Sequence, residues 1–372
     1  MNIWWIGFLQ DASREAVAGR WMVRSLQALG HAVAAQALPG GAPLEINAEL
    51  AAYMNAALHV AEEVKSGDLE WDPADTAAIF SDSALVELAQ HPEATTPQAD
   101  HRIGWWVRST LQLPEEIITF LNTLDAIWTP YPTYQATLRE QGVTIPIAVT
   151  GLPYYPLYPD EIARLLRAGS ESAPNLTGTH RFLATGFYAQ SQNWASLLRT
   201  YWQAFQPTED VALYLKTYAG PREEDAVGPL RDLRRATKQW GRPIPPTYLW
   251  PWRTAEPIYT SLFPAMHTVL ALDTYHVSGI TIIESLYAGC PVIATPFGVS
   301  ADLVTPENGW IVRSEQEAAD AMREACQPSI WQQKSLAARE TARAWVANEG
   351  GLHYLEQALD ALTGKIMPVS GK

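Results

Sequence analysis

Residues 2–38, NIWWIGFLQDASREAVAGRWMVRSLQALGHAVAAQAL, decide the fold class. Asn2–Leu9 reads as a strand of large apolar residues. From about Ala18 to Leu29 the apolar Trp21, Val23, Leu26 and Leu29 recur at helical spacing, and Gly30 stops the helix. His31–Leu38 is the next strand. Strand, helix, strand in this order is a βαβ unit, which predicts a parallel sheet with helices over its faces. The connecting loop, Gln10–Val17, then sits at the carboxyl end of the first strand, where open α/β sheets take their ligands. It carries Asp11, Ser13, Arg14 and Glu15, and Gly19 stands alone beyond it. This is not the G-x-G-x-x-G fingerprint of a dinucleotide site.

The alternation continues outward. Residues 45–65 have a helical pattern. Ala77–Ser81, His101–Val107, Ala126–Thr129 and Ile145–Thr150 read as strands, with helices at Pro114–Leu124 and Tyr134–Gln141. The proline-rich run 151–159 suits neither element. Residues 168–180 have the composition of a linker, after which the pattern restarts. Strands are expected at Arg181–Thr185, Val211–Thr217, Thr247–Trp250, Val269–Leu272, Val292–Thr295 and Trp310–Val312. Helices are expected at Trp194–Phe205, 222–239, Ala255–Phe263, Ile280–Ala288, 315–326 and 331–363. The domain expectation is therefore 1–165, a linker at 166–180, a second domain at 181–345 and a terminal helical segment at 346–372. The fold class is α/β: two Rossmann-like, doubly wound parallel-sheet domains in series. The crevice between two such domains is the default ligand site.

Composition narrows the function classes. Of 372 residues, 26 are Lys or Arg and 40 are Asp or Glu, for a net charge of −14. A surface this acidic repels phosphate backbones and anionic lipid, which disfavours a nucleic-acid or polybasic membrane binder. The two cysteines, Cys290 and Cys326, make neither a disulfide framework nor a metal pair and fit a cytoplasmic location. The N-terminus lacks the basic region and cleavage site of a signal peptide, and no run reaches the ~18 apolar residues of a membrane span. The 15 Trp and 15 Tyr are either bulky core residues or the lining of a sugar or base pocket.

Chemistry concentrates in residues 273–312, DTYHVSGITIIESLYAGCPVIATPFGVSADLVTPENGWIV. A strand ends, Ser278-Gly279 forms a loop, and a helix starts near Ile280. The first turn exposes the backbone N–H groups of Gly279, Ile280 and Thr281, which with the helix dipole make an anion site. Gly279 lets a phosphate approach the backbone, and Thr281 adds a hydroxyl. Glu284, about one turn in, can accept two hydroxyls of a ribose diol; a surface Glu on a capped helix is the plainer alternative.

This run resembles the signature of retaining family 4 glycosyltransferases with the GT-B fold. Glu284 falls on the second Glu of the family's paired-Glu motif. Gly279, Ala288, Gly289, Pro291, Val292, Ile293, Ala294, Thr295, Gly298, Asp302, Asn308 and Gly309 follow in order. A weaker likeness runs from Leu113-Pro114 to Gly151 and over Phe182–Phe205. The resemblance implies two Rossmann-like domains facing a central cleft, an acceptor-side first domain, a nucleotide-sugar-binding second domain and a last helix crossing back. It implies that Glu284 holds the ribose. Two departures stand out. The first Glu of the pair, which in the family holds the transferred sugar, is His276 here. The Arg and Lys that grip the diphosphate in the family fall on Phe187 and Gln192 or a neighbour.

Other cations are candidates to replace them. Lys216 closes the apolar strand Val211–Leu215, either as a phosphate ligand or as a solvated strand end. Arg253 follows Trp250-Pro251-Trp252, where the family seats the base; Trp250 or Trp252 either stacks on it or packs between domains. His276 sits beside the anion site and can hydrogen-bond a sugar hydroxyl or, protonated, offset diphosphate charge. Arg108, after the strand at 101–107, is a sugar or acceptor contact, and Cys290 a packed residue. No zincin motif, Walker A or serine elbow is present, and no metal is expected.

Two functions follow. One is transfer of a hexose from a nucleotide diphosphate sugar, as donor substrate and not as bound cofactor, to a glycan, glycoside or protein acceptor with retention. His276, Glu284 and Arg108 would carry the chemistry. Ser278, Gly279, Ile280, Thr281, Glu284, Lys216, Trp250 and Arg253 would bind the donor. The other is a catalytically degenerate relative that binds a sugar nucleotide or glycan as a non-catalytic partner. The sequence leaves homo-oligomerisation open.

Overall fold

The computed structural model describes residues 1–10, 13–38, 48–91, 96–108, 112–153, 177–187, 193–218, 227–251, 262–272, 279–347 and 352–362. The chain divides into two compact units, residues 1–155 with 345–372, and residues 156–344.

In the first unit the strands β1 (Asn2–Gly7), β2 (Ala32–Ala37), β3 (Thr76–Ser81), β4 (His101–Trp105), β5 (Ala126–Thr129) and β6 (Ile147–Val149) form one sheet. Their order is β2-β1-β3-β4-β5-β6, and all pairs are parallel. Trp5 pairs with Ala35 on one side and Ile79 on the other, which fixes the register. The order reverses between β1 and β3, so the sheet has its switch point there. The helices are α1 (Arg14–Ala28), α2 (Ala48–Ser66), α3 (Asp82–Gln90), α4 (Glu115–Leu121) and α5 (Pro132–Glu140). Ile6, Ala78, Phe80 and Ile127 pack with Leu85, Leu88, Ile117 and Leu121 of α3 and α4. The buried rings of Trp5 and Trp105 meet edge to face at 5.1 Å. Much of the tryptophan content thus fills the core.

Two expectations are corrected here. Helix α1 begins at Arg14 and not near Ala18, because Ser13 caps it: its hydroxyl accepts from the Ala16 amide at 3.1 Å. Gly19 therefore lies inside the helix. A Cβ there would stand 2.8 Å from the Phe8 carbonyl oxygen, so glycine allows the helix to press on the segment after β1. Residues 82–90, to which the sequence reading assigned no element, form α3 with Ser81 as its N-cap.

The second unit contains β7 (His180–Phe187), β8 (Val211–Tyr218), β9 (Thr247–Trp250), β10 (Thr268–Ala271), β11 (Val292–Ala294) and β12 (Gly309–Ile311). Their order is β12-β11-β10-β7-β8-β9, again all parallel. The chain runs outward from β7 to β9 and returns past β7 to β10, placing the switch point between β7 and β10. Helices α6 (Trp194–Ala204), α7 (Val227–Trp240), α8 (Leu262–Ala265), α9 (Ile280–Ala288), α10 (Ser300–Leu303), α11 (Glu315–Ala325) and α12 (Pro328–Ala347) belong to this half of the chain. One face of the sheet buries Phe182, Leu213, Leu215 and Ile293 against Leu198, Tyr201 and Met322 of α6 and α11. The other buries Leu183, Ala212, Tyr214 and Val269 with Phe263, Met266 and Cys290.

The first unit takes the chain up again at Trp345, near the end of α12. The ring of Trp345 lies 6.0 Å from that of Tyr131. The last helix, α13 (Leu352–Leu362), packs on β6. Most of the expected linker, residues 166–176, lies outside the described residues.

Candidate functional site

The carboxyl end of the second sheet is built around its switch point. Strand β10 ends at Ala271, and α9 follows it. Gly279 is the N-cap, in the left-handed region at φ 69°, and as a glycine it caps the helix with no side chain of its own. The first helical bonds are donated by the Ile282 and Ile283 amides to the Gly279 carbonyl, at 3.0 and 3.1 Å. The amides of Gly279, Ile280 and Thr281 thus precede the ladder, as the first donors of any helix must. Gly279 and Ile280 are buried, and Thr281 is half-buried.

Glu284 is 6% exposed, although a helix surface is where a glutamate ordinarily sits. It lies four residues after Ile280, on the same side of α9. Helical side chains lean toward the N-terminus, so its position favours a carboxylate directed back toward the first turn, where the dipole stabilises it.

Lys216 is only 4% exposed. It does not close its strand: β8 runs on to Tyr218. Its row is Thr185, Lys216, Trp250 across β7, β8 and β9. By strand alternation it shares the face of Ala212 and Tyr214, the face that packs with Phe263, Cys290 and Ala288 of α8 and the end of α9. The solvated strand end is therefore ruled out. A buried ammonium is costly unless an opposite charge or acceptors compensate it, and its place is near the carboxyl end of β8, the strand beside β7.

Trp250, in the same row, is half-buried, with its ring 5.1 Å from that of Tyr214, which stacks in turn on Tyr248 at 5.0 Å. His276, Ser278, Arg253, Trp252 and Gln192 lie outside the described residues. Phe187 is the last residue of β7.

The later half of the 273–312 run has structural work. Gly289 ends α9 at φ 80°, and a Cβ on it would stand 2.2 Å from Arg339 Nε of α12. The Ser335 hydroxyl donates to the Gly289 carbonyl at 2.6 Å. Asn308 Oδ1 accepts from the Thr305 amide at 2.9 Å, and Nδ2 donates to the Leu303 carbonyl at 3.0 Å. A Cβ on Gly309 would meet the Val292 carbonyl oxygen at 2.3 Å. The Cys290 thiol donates to the carbonyls of Phe263 and Met266, and burial pushes its pKa up to about 12. That thiol is not a nucleophile at neutral pH.

A second polar centre lies at the switch point of the first sheet, in the ends of β3 and β4 and the first turns of α1 and α3. Glu15 Oε1 accepts from the Ser81 hydroxyl at 3.0 Å, and Oε2 from the Ser83 hydroxyl at 2.7 Å. Arg108 Nη2 reaches Glu15 Oε2 at 3.1 Å and also donates to the Ser83 hydroxyl. Arg108 Nε lies 2.9 Å from Asp82 Oδ2. Asp82 is fully buried and Glu15 is 6% exposed. Burial first, and then the charge of Glu15, hold the Asp82 carboxyl well above the usual range; Arg108 opposes this. The sequence reading found Arg108 but missed Asp82 and its two serines. Their only signal is the polar triplet Ser81-Asp82-Ser83 at the end of an apolar strand.

Among the described residues no group of three or more His, Cys, Asp or Glu is placed to hold a metal. No helix among them is long and apolar enough to cross a membrane.

No family model matches the chain, and no curated protein sequence matches it. Solved structures do. A sucrose-phosphate synthase from Thermosynechococcus elongatus aligns with a TM-score of 0.66 at 16% identity, over 97% of this chain and 100% of that one. The Anabaena protein HepE, solved in complex with UDP and glucose, gives 0.66 at 14% identity, over 98% and 100%. A trehalose-6-phosphate synthase, studied for glycosyl transfer with retention, gives 0.67 at 11% identity, over 98% and 99%. What is shared at these identities is the fold. The two six-stranded parallel sheets are those of the GT-B glycosyltransferases.

Proposed function

We propose that this GT-B chain is a retaining glycosyltransferase that moves a hexose from a nucleotide diphosphate sugar to an acceptor hydroxyl. The observation that supports the reading is the end of the second sheet: a helix start on a left-handed Gly279, with Glu284 buried one turn in and Lys216 buried near the end of β8. The amides of Gly279, Ile280 and Thr281 take the diphosphate oxygens, joined by the Thr281 hydroxyl and by Ser278. Glu284 accepts the ribose hydroxyls. Lys216, with Arg253, stabilises the negative charge that grows on the diphosphate as it leaves. Trp250 lies beside the base, and His276 contacts a hydroxyl of the transferred sugar. Arg108 is the sugar or acceptor contact contributed by the first unit.

In the transfer, the bond between the anomeric carbon and the diphosphate oxygen breaks. The acceptor oxygen bonds to that carbon on the same face, and its proton passes to the leaving diphosphate. The protein's part is positioning and charge stabilisation. The acceptor is a glycan, glycoside or protein. The unpaired cysteines suit a cytoplasmic setting.

A second reading, a degenerate member that binds without turnover, draws support from Phe187 at the end of β7, where the resemblance expects a cation. Calorimetry with UDP, GDP, ADP and TDP, followed by transfer assays with the matching sugars, separates the two. Transfer that Glu284→Ala abolishes supports the enzyme. Nucleotide or glycan binding without turnover across the donor panel supports the second reading.

A further inference from the structure

Helix α7 reads RDLRRATKQW over residues 231–240, and Arg242 follows just beyond its end. Arg231, Arg234, Arg235, Lys238 and Arg242 thus stand within one short stretch beside a single carboxylate, Asp232, in a chain whose acids outnumber its bases 40 to 26. The helix sorts them. Leu233, Ala236 and Trp240 turn onto the core of the second unit, with the Trp240 ring 5.6 Å from that of Trp202. Arg231, Arg234, Arg235 and Lys238, at steps of three and four, are exposed along the other side. Val227, 59% exposed, leads the same row one turn earlier. Arg242 is exposed at its far end, with its guanidinium 4.3 Å over the Trp240 ring.

The unit's own carboxylates do not absorb this row. Arg231 and Arg235 lie 3.5 and 3.6 Å from Asp232, and their side chains stay 66% and 63% exposed. Arg234 and Lys238 make no ion pair among the described residues. Elsewhere in the unit exposed arginines do find partners: Arg199 pairs with Glu315 and Arg323 with Glu209. Like charges four positions apart, Arg231 with Arg235 and Arg234 with Lys238, weaken a helix. The dipole at the helix end repays Lys238 and Arg242 but not the three arginines before them. Residues 219–226, which hold Arg222, Glu223, Glu224 and Asp225, lie outside the described residues. Arg231 stands more than a turn beyond them, and Lys238 is about 16 Å along the axis from the helix start.

We propose that the exposed row of α7 is a docking surface for an anionic lipid bilayer, held by lipid phosphates at the surface and not by insertion. About four to eight cations on one face of an amphipathic helix are what such a surface attracts. A grip on nucleic acid takes about six to ten phosphate contacts. A stable protein interface needs a desolvated aromatic or aliphatic centre, and the row offers only Val227. A flat anionic surface needs no such centre. The net charge of −14 disfavours a chain that is basic throughout, but it averages over this row. Acidic groups more than about 8 Å from the lipid are largely screened at physiological salt. What repulsion remains favours the orientation with α7 toward the bilayer. The docking surface is independent of the transferase reading and stands or falls without it.

The test is cosedimentation of the full chain with vesicles of phosphatidylcholine, alone or with about one third phosphatidylglycerol. Partitioning onto the mixed vesicles should exceed that onto the neutral ones by at least about tenfold. It should fall away as salt rises from about 0.1 to about 0.5 M. Arg234→Gln together with Lys238→Gln should weaken it by about tenfold or more, at an unchanged melting temperature, because both side chains are exposed. Arg234→Gln alone should weaken it about fivefold and covers a folding defect in the double variant. Lys65→Gln, which removes an exposed charge from the first unit, should change it by less than about twofold. Equal partitioning onto neutral and acidic vesicles overturns the proposal, as does equal partitioning of parent and double variant. A parent that ignores the vesicles but binds RNA or polyglutamate through Arg234 and Lys238 overturns it too.

Discussion

The two sheets end differently, although both are six-stranded, parallel and doubly wound. At the switch point of the first, two helices start on serine caps, and Glu15, Asp82 and Arg108 contact one another. At the switch point of the second, the helix starts on a glycine in the left-handed region with no side-chain cap, and a lysine is buried in a neighbouring strand. The same topology has thus been finished in two ways. Serine side chains cap the helix starts of one end, while a glycine stands at the N-cap of the other. Strand order locates a ligand end, and on the proposed reading the residue at the N-cap of the following helix bears on whether that end takes phosphate.

The largest expected effect separates the halves by pH. His180 and His267 are held to about 3 and about 4, chiefly by burial. A histidine whose pKa is lowered on folding gives stability that is full above its unfolded value near 6.5 and is lost as pH falls toward the folded value. For His180 alone this is on the order of 4 kcal/mol. Asp82 has the opposite sign. Its raised pKa contributes most below the ordinary carboxylate range, and that contribution is lost as pH rises through the folded value. Acid titration followed by hydrogen exchange should therefore open the second unit first, between about pH 6 and 4. Earlier opening of the first unit would break the comparison.

Next in size is Arg108→Met. It leaves a buried carboxylate uncompensated and should cost about 3 kcal/mol of stability, read by denaturant unfolding. Nucleotide affinity should not change. Lys216→Met is the mirror experiment. Nucleotide affinity should fall about tenfold or more. A Lys216→Met protein that binds nucleotide normally removes the lysine from the proposed site. The smallest effects sharpen the contrast between caps. Ser13→Ala should cost about 1 kcal/mol with no change in ligand binding. Gly279→Ala strains a left-handed residue by about 1 kcal/mol and should also weaken nucleotide binding.

Much of this architecture was legible in the sequence. The alternation of short apolar runs with helical patterns placed strands in both halves, because buried parallel strands are continuously apolar. Lys216 was visible because lysine is scarce and this one interrupts an apolar strand. The start of α1 and all of α3 were not visible. Both begin in polar residues whose partners are remote in sequence: Glu15 meets Ser83 across 68 positions. Periodicity cannot distinguish such buried caps from a solvated loop. The likeness over 273–312 mixed two kinds of residue that only the structure separates. Gly289, Asn308 and Gly309 are set by φ, close contact and turn hydrogen bonds, while Gly279, which φ also demands, and Glu284 stand in the first turns of α9.

Direct titration of the protein with UDP, GDP, ADP and TDP, alongside Glu284→Ala, bears most immediately on the central claim. The account requires at least one of these nucleotides to bind with measurable heat, and the variant to lose about tenfold or more in affinity. Silence from all four, or equal affinity in parent and variant, contradicts it.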